Sequence, residues 1–239
     1  MLIKAPSQDI APNVIACGDP ARVEILSSVL TDAKVVNTYR GFKVITGFYK
    51  STRVTLANHG IGGPSAAMVF EELKALGAKR IIRFGTAGGI RSDTRVGDVV
   101  VATSSVYHTG GCTIGQYMPG LCGATGSHPR LTSRVMDLLE ENNIAYKCGP
   151  VFTSDAFYAE SPKLAESMSQ YGVIAVEMEA ATLFILGWMR GFEAACVLIV
   201  SNVLHDKEAY RSFFTKGLTE EFIRVGGVLM EVFDRYYRG

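Results

Sequence analysis

Short apolar runs alternate with amphipathic stretches along the chain, and each change of period falls on a glycine, a proline or a cluster of small polar residues. Asn13 to Cys17, Ile81 to Phe84, Asp98 to Ala102, Pro150 to Thr153, Ile174 to Val176 and Ala194 to Val200 read as strands. The last is so wholly apolar that it belongs at the centre of a sheet covered on both faces. Val35 to Tyr39, Phe42 to Tyr49 and Arg53 to Ala57 add three more, punctuated by Gly41, Gly47 and Lys50-Ser51-Thr52. Helical periodicity runs from Pro20 to Leu30, from Pro64 to a stop at Gly77, from Leu131 to Asn142, after Ser161-Pro162, and from Thr219 to Tyr237. Val69, Leu73 and Leu76 form one packing stripe and Phe222, Val225, Leu229 and Phe233 another. Strands alternating with helices, with glycines and polar residues at the strand ends, predict an α/β sheet with its site at those ends.

One residue breaks the apolar pattern. Arg83 sits in the strand that leads to Gly85-Thr86-Ala87-Gly88-Gly89, and an unpaired buried guanidinium costs several kcal/mol. An anion or a carboxylate is therefore expected where that strand opens into a glycine loop, with Thr86 adding a hydroxyl and Gly85, Gly88 and Gly89 letting backbone amides approach a ligand. Gly18-Asp19-Pro20-Ala21-Arg22 offers a second anion seat, because free amides and the helix dipole meet there and Arg22 lies early in the helix. An ordinary strand-to-helix turn with a surface Arg22 gives the same pattern.

Asn58-His59-Gly60-Ile61-Gly62-Gly63-Pro64-Ser65 is another glycine-rich junction, but it lacks the Lys-Ser/Thr of a Walker motif and the spacing of a dinucleotide fingerprint. ATP and NAD are not supported, and His59 reads as a hydrogen-bonded loop histidine. Arg40-Gly41 reads as a solvated bend. Phe157 and Tyr158 at a strand end suit either stacking on a planar base or packing in the core. Glu177 and Glu179 flank Met178 where a buried strand yields to an apolar helix. Carboxylates there need hydroxyl or cationic partners, which a ribose diol would supply, and a helix-start glutamate favouring the dipole fits equally.

Size and charge narrow the classes. With 239 residues, 48% of them hydrophobic, the chain holds enough apolar material for one large core, a single domain spanning residues 1–239. A formal net charge of +1 without a basic run argues against nucleic acid. No apolar run approaches the roughly 18 residues needed to cross a bilayer, and no signal-peptide pattern is present, so no membrane partner and a cytoplasmic location are expected. The five cysteines show no CxxC and no histidines at ligand spacing, which leaves no metal site. Most are expected to be buried. Cys122, in the glycine-rich segment from Ser104 to Gly126 that reads as a substrate-rim loop, is the candidate for any cross-chain disulfide.

Four motifs in order, Gly18-Asp19-Pro20-Ala21-Arg22, His59 through Leu73, Arg83-Phe84-Gly85-Thr86-Ala87-Gly88 and Val176-Glu177-Met178-Glu179-Ala180-Ala181, resemble the nucleoside phosphorylase family of the purine and uridine type. Ser154-Asp155-Ala156-Phe157-Tyr158-Ala159-Glu160 is most similar to archaeal members acting on purine nucleosides and methylthioadenosine. The resemblance implies a three-layer αβα sandwich around a distorted mixed central sheet, assembled as a homohexamer, a trimer of dimers that share active sites. Gly18, Arg22, Arg83 and Thr86 would hold phosphate, with Arg40 reaching the phosphate of the neighbouring subunit. Glu177, Met178 and Glu179 would line the ribose, Phe157 would lie along the base, and Ser201 and Asn202 would face its edge. The implied reaction is phosphorolysis of a nucleoside to ribose 1-phosphate and free base, with inorganic phosphate as co-substrate, no cofactor, and Asn202, Glu179 and Arg83 as the catalytic group.

Three departures bear on the substrate. Asn202 stands where purine enzymes of this type carry an aspartate that protonates N7, which favours 6-oxopurines such as inosine or guanosine over adenosine. Ser161 and Lys163 occupy the positions that read uracil in uridine phosphorylases, which makes uridine the second choice. Leu2 replaces the histidine that meets the 5′ hydroxyl across the dimer, and an apolar side chain there suits a 5′-methylthio group. A nucleoside hydrolase would leave Arg22, Arg40 and Arg83 without purpose, and a non-catalytic nucleoside-binding protein would need no anion cluster.

Overall fold

A computed structural model describes residues 1–108, 111, 113–159, 162–204 and 216–238. Its strands are β1 (Asn13–Cys17), β2 (Thr31–Asn37), β3 (Val44–Tyr49), β4 (Thr52–Asn58), β5 (Arg80–Gly89), β6 (Val99–Tyr107), β7 (Tyr146–Thr153), β8 (Ala175–Glu177) and β9 (Glu193–Val203). The helices are α1 (Pro20–Ser27), α2 (Gly63–Ala75), the single turn α3 (Ile114–Tyr117), α4 (Pro129–Glu141), α5 (Pro162–Gln170), α6 (Ala180–Arg190) and α7 (Lys216–Tyr236). Glu160, Ser161 and Cys112, each part of the sequence reading, lie outside the described residues.

The nine strands form one mixed sheet in the order β2-β3-β4-β1-β5-β8-β7-β6-β9, and β9 also pairs with β5. That second pairing closes β5, β8, β7, β6 and β9 on themselves, so half of the sheet curls while the other half stays open. Alternating side chains pack on two helical layers. Ala194, Cys196, Leu198 and Val200 of β9 join Val69, Phe70 and Leu73 of α2 and Leu183 and Phe184 of α6. Ala195, Val197 and Ile199 join α1, α4 and α7 through Leu26, Leu138, Phe222 and Leu229. This is a three-layer αβα sandwich around a distorted mixed sheet.

Several boundaries differ from the sequence reading. α1 ends at Ser27 rather than Leu30, and β2 begins at Thr31 rather than Val35, because Thr31 to Val35 are exposed on a sheet edge and owe their extension to pairing with β3 rather than to burial. The rim loop expected from Ser104 to Gly126 begins as the end of β6 and then forms α3. Glycines 85, 88 and 89 are not in a loop. β5 runs through them, pairing in parallel with β9 along most of its length and antiparallel with β8 at Gly88 and Gly89. Close neighbours explain them: a Cβ on Gly88 would stand 2.5 Å from Leu204 Cδ1 and one on Gly89 would stand 2.4 Å from Thr94 Oγ1. Two of the four described cysteines, Cys17 and Cys196, are buried, while Cys148 and the disulfide candidate Cys122 are exposed as free thiols.

Candidate active site

Arg83 projects from β5 onto the side of the sheet covered by α2 and α6, and it is only 3% exposed. Its required partner is a pair of protein carboxylates. Nε donates to Glu177 Oε2 at 3.0 Å and Nη2 lies 2.6 Å from Glu179 Oε2. Nη1 meets His59 Nε2 at 3.4 Å. Burial works against the charge, yet Glu179 and Glu177 outweigh it and hold the guanidinium above its ordinary pKa. Three of the five N–H groups are thus committed, which leaves one hydrogen on each Nη.

Glu177 is consumed by the fold. Oε1 accepts from Thr153 Oγ1 at 2.5 Å, and Oε2 accepts from Arg83 and, at 2.8 Å each, from the amides of Glu179 and Ala180. Those amides open α6, so Glu177 is the anion on that helix's N-terminus. The ribose contact expected of it would have to compete with these four donors. Glu179 is different: Oε1 accepts from Gly62 N at 2.6 Å and Oε2 from Arg83, so each oxygen keeps a lone pair. Burial, and then Glu177, raise its pKa against the opposing pull of Arg83, the Gly62 amide and Arg22. Met178, between the two acids, is half-buried.

The Gly18 turn lies against this cluster. Asp19 accepts from Ala21 N at 2.8 Å and caps α1, while Asn58 Nδ2 donates to Gly18 O at 2.8 Å. A Cβ at residue 18 would stand 3.3 Å from Gly60 O, a tight contact, and 3.6 Å from His59 Cε1, an ordinary one. Arg22 is half-buried, with its guanidinium 5.6 Å from the centre of the Phe222 ring. Burial lowers its pKa, and it lies near enough to Arg83 and Glu179 for their charges to act on it. Thr86, also half-buried, falls on the other face of β5 from Arg83 by strand alternation, the side on which Phe84 stacks on Phe222 at 3.9 Å. Arg22 and Arg83 thus lie on opposite sides of the sheet, near enough to each other and to Glu179 for their charges to interact.

Phe157 is 44% exposed and Tyr158 97%, edge to face at 5.3 Å, which rules out the core alternative. Ser201 and Asn202 are half-buried in β9, and Ser201 Oγ lies 3.2 Å from Asn202 Oδ1 and 3.4 Å from Ala87 O. The hydroxyl has one hydrogen to donate to either of these oxygens. Arg40 is exposed, with a left-handed backbone at φ 54°. Leu2 departs from expectation: it is 5% exposed, packed in its own core, with its amide held by Glu72 at 2.8 Å. That side chain is not available to a neighbouring site. His59 and Thr153 were not singled out from the sequence as site residues; the one signal was a polar side chain at the end of an apolar strand.

A model of the phosphorylase superfamily matches residues 12–233. The chain belongs to that family. Among its relatives, guanosine phosphorylase of Halorubrum lacusprofundi is 34% identical over 196 residues, covering 82% of this chain and 80% of the relative. A DeoD-type purine nucleoside phosphorylase of Caldanaerobacter subterraneus subsp. tengcongensis is 35% identical over 209 residues, or 87% and 89% of the two chains. A uridine phosphorylase from Vibrio fischeri ES114 superposes with a TM-score of 0.86 at 27% identity, covering 96% of this chain and 95% of that one. Within this superfamily member, the four motifs that carried the resemblance surround one buried ionic cluster.

Proposed function

We propose that the protein is a purine nucleoside phosphorylase with a preference for 6-oxopurine nucleosides. What supports this reading is that Arg22 and Arg83 lie within reach of each other's charge and of Glu179, with the Gly18 turn packed beside His59, the neighbour of Arg83. Phosphate would be held by the Gly18 amide, Arg22, Thr86 and the two free N–H groups of Arg83, and Glu179 would accept from the ribose hydroxyls through its remaining lone pairs. Phe157 would lie along the base.

A phosphate oxygen then bonds to C1′ as the C1′–N9 bond breaks, and the bonding pair leaves on the purine. Catalysis is positioning and charge stabilisation, with Glu179 orienting the ring and offsetting its developing positive charge. Asn202 presents an N–H donor rather than an acid, which suits a 6-oxopurine leaving as a delocalised anion that water protonates afterwards.

Two arginines and two glutamates balance around a neutral His59, so an incoming dianion needs another cation. Arg40, exposed in its own subunit, would supply it to a neighbour, which supports a dimer-based assembly, a homohexamer in the cytoplasm. The relatives with purine and guanosine names are more alike in sequence than the uridine phosphorylase, so uridine stands second. Hypoxanthine release from inosine, measured with and without phosphate, tests the reading. Strict phosphate dependence is expected; release without phosphate means a hydrolase, and no release from inosine, guanosine, adenosine, methylthioadenosine or uridine means a binding protein.

A further inference from the structure

We infer that His59 is a positioning residue of the phosphate site, a neutral imidazole protonated on Nδ1 that ties Arg83 to the Gly18 turn. This rests on the phosphate role given to Arg83 above. Three observations lead to it.

The ring is fully buried between Arg83 of β5 and α2, tilted against Phe70 at 5.4 Å. Nε2 lies 3.4 Å from Nη1 of an arginine that two carboxylates keep charged. A guanidinium only donates, so Nε2 must be the bare nitrogen and the proton must sit on Nδ1. No described group makes a hydrogen bond to Nδ1. A second ring proton is opposed by burial and by the Arg83 charge, although carbonyls of Gly60 and His59 itself lie near enough to favour one.

The same residue holds the other half of the site through its backbone. His59 N donates to Cys17 O at 2.8 Å, its carbonyl accepts from Ser65 Oγ at 2.8 Å, and its Cε1 lies beside Gly18, 3.6 Å from where a Cβ there would stand. One histidine thereby sets the distance between the Gly18 amide and the Arg83 fork. Glu177 and Glu179 fix two corners of the guanidinium, and His59 fixes the third. Without an acceptor at the third corner, Nη1 would turn towards another oxygen and its free hydrogen would leave the direction of the phosphate.

The test combines a spectrum with a pair of variants. In ¹⁵N-histidine-labelled protein, the His59 signals, assigned by their loss in His59→Gln, are expected to report a neutral ring with a bare Nε2. A proton on Nε2, or a doubly protonated ring at neutral pH, overturns the inference whatever the enzyme turns over. Kinetically, His59→Phe keeps the ring's bulk and removes the acceptor, whereas His59→Gln restores an acceptor oxygen. The Phe variant is expected to raise KM for phosphate about tenfold, the size of one charge-assisted contact, with kcat falling less. The Gln variant should recover most of that loss. Phosphate KM unchanged in both variants, or equal damage in both, contradicts the proposal. Should the Phe variant not fold, the spectrum and the Gln variant decide. Should wild type prove inactive on every nucleoside, the phosphorylase reading fails, and the shift of the His59 signal on adding inorganic phosphate still tests the link: no shift overturns it.

Discussion

Arg83 folds back over Gly85, so closely that a Cβ at residue 85 would stand 2.4 Å from Nη1 and 3.0 Å from Cζ. The glycine is there for the arginine, not for a ligand. Two residues apart on a strand, the pair shares one face, and any side chain at 85 would push the guanidinium off its two carboxylates. Gly85→Ala is expected to destabilise the fold by about 1 to 3 kcal/mol through overpacking and to abolish most phosphate-dependent turnover. Denaturant melts and inosine kinetics check this; a variant with wild-type kinetics would show that Arg83 need not lie where it does.

The two glutamates should separate cleanly. Glu177→Ala removes one partner of a buried pair and the acceptor for the first amides of α6, a loss of about 3 to 5 kcal/mol in unfolding free energy. Glu179→Gln leaves Arg83 paired with Glu177, so melting should change far less while kcat/KM for the nucleoside falls by more than about tenfold, as for a lost charged contact in the transition state. Equal thermal losses in both variants would count against assigning structure to one acid and sugar binding to the other.

Asn202→Asp is expected to raise adenosine phosphorolysis relative to inosine. A carboxyl can carry a proton to the departing purine, which the Nδ2–H group cannot. Competing the two nucleosides in one reaction measures the ratio directly, and an unaltered ratio would remove Asn202 from base selection.

Asp234, far from the site, gives a pH test. It is buried under the C-terminal turn, and its pKa is lowered from 3.8 to about 2, chiefly by the hydrogen bond from Arg238, then by Thr52, the Arg238 charge and Ser51, against burial. A depressed folded-state value means that the ionised form stabilises the protein above the unfolded pKa and that this stability is lost as pH falls through the folded one. Wild type should therefore exceed Asp234→Asn in urea midpoint at neutral pH, with the gap closing between about pH 4 and pH 2. A gap independent of pH would assign the effect to packing.

The strands with apolar cores, β1 and β9 above all, were legible in the chain because burial on both faces leaves a continuous hydrophobic run. Thr31-Asp32-Ala33-Lys34 was not, since only Thr31 among those side chains favours extension and pairing with the neighbouring strand holds them in β2. Polar and charged residues at the strand ends pointed to the site. Their pairing was hidden: Arg83 finds Glu177 across 94 residues and Glu179 finds Gly62 across 117, distances over which no local pattern carries information. A buried arginine announces that it needs an anion, but only the folded chain shows that the first anions it meets are its own.

β5 is fastened along both long edges, by β1 on one side and by β9 over nearly its whole length on the other, with β8 clasping its last two residues. The strand that carries Arg83 is therefore held by neighbours on both sides. On the proposed reading, new leaving groups would be sought by altering the side chains of Ser201, Asn202 and Phe157, with the backbone pairing of β5 to β9 left in place.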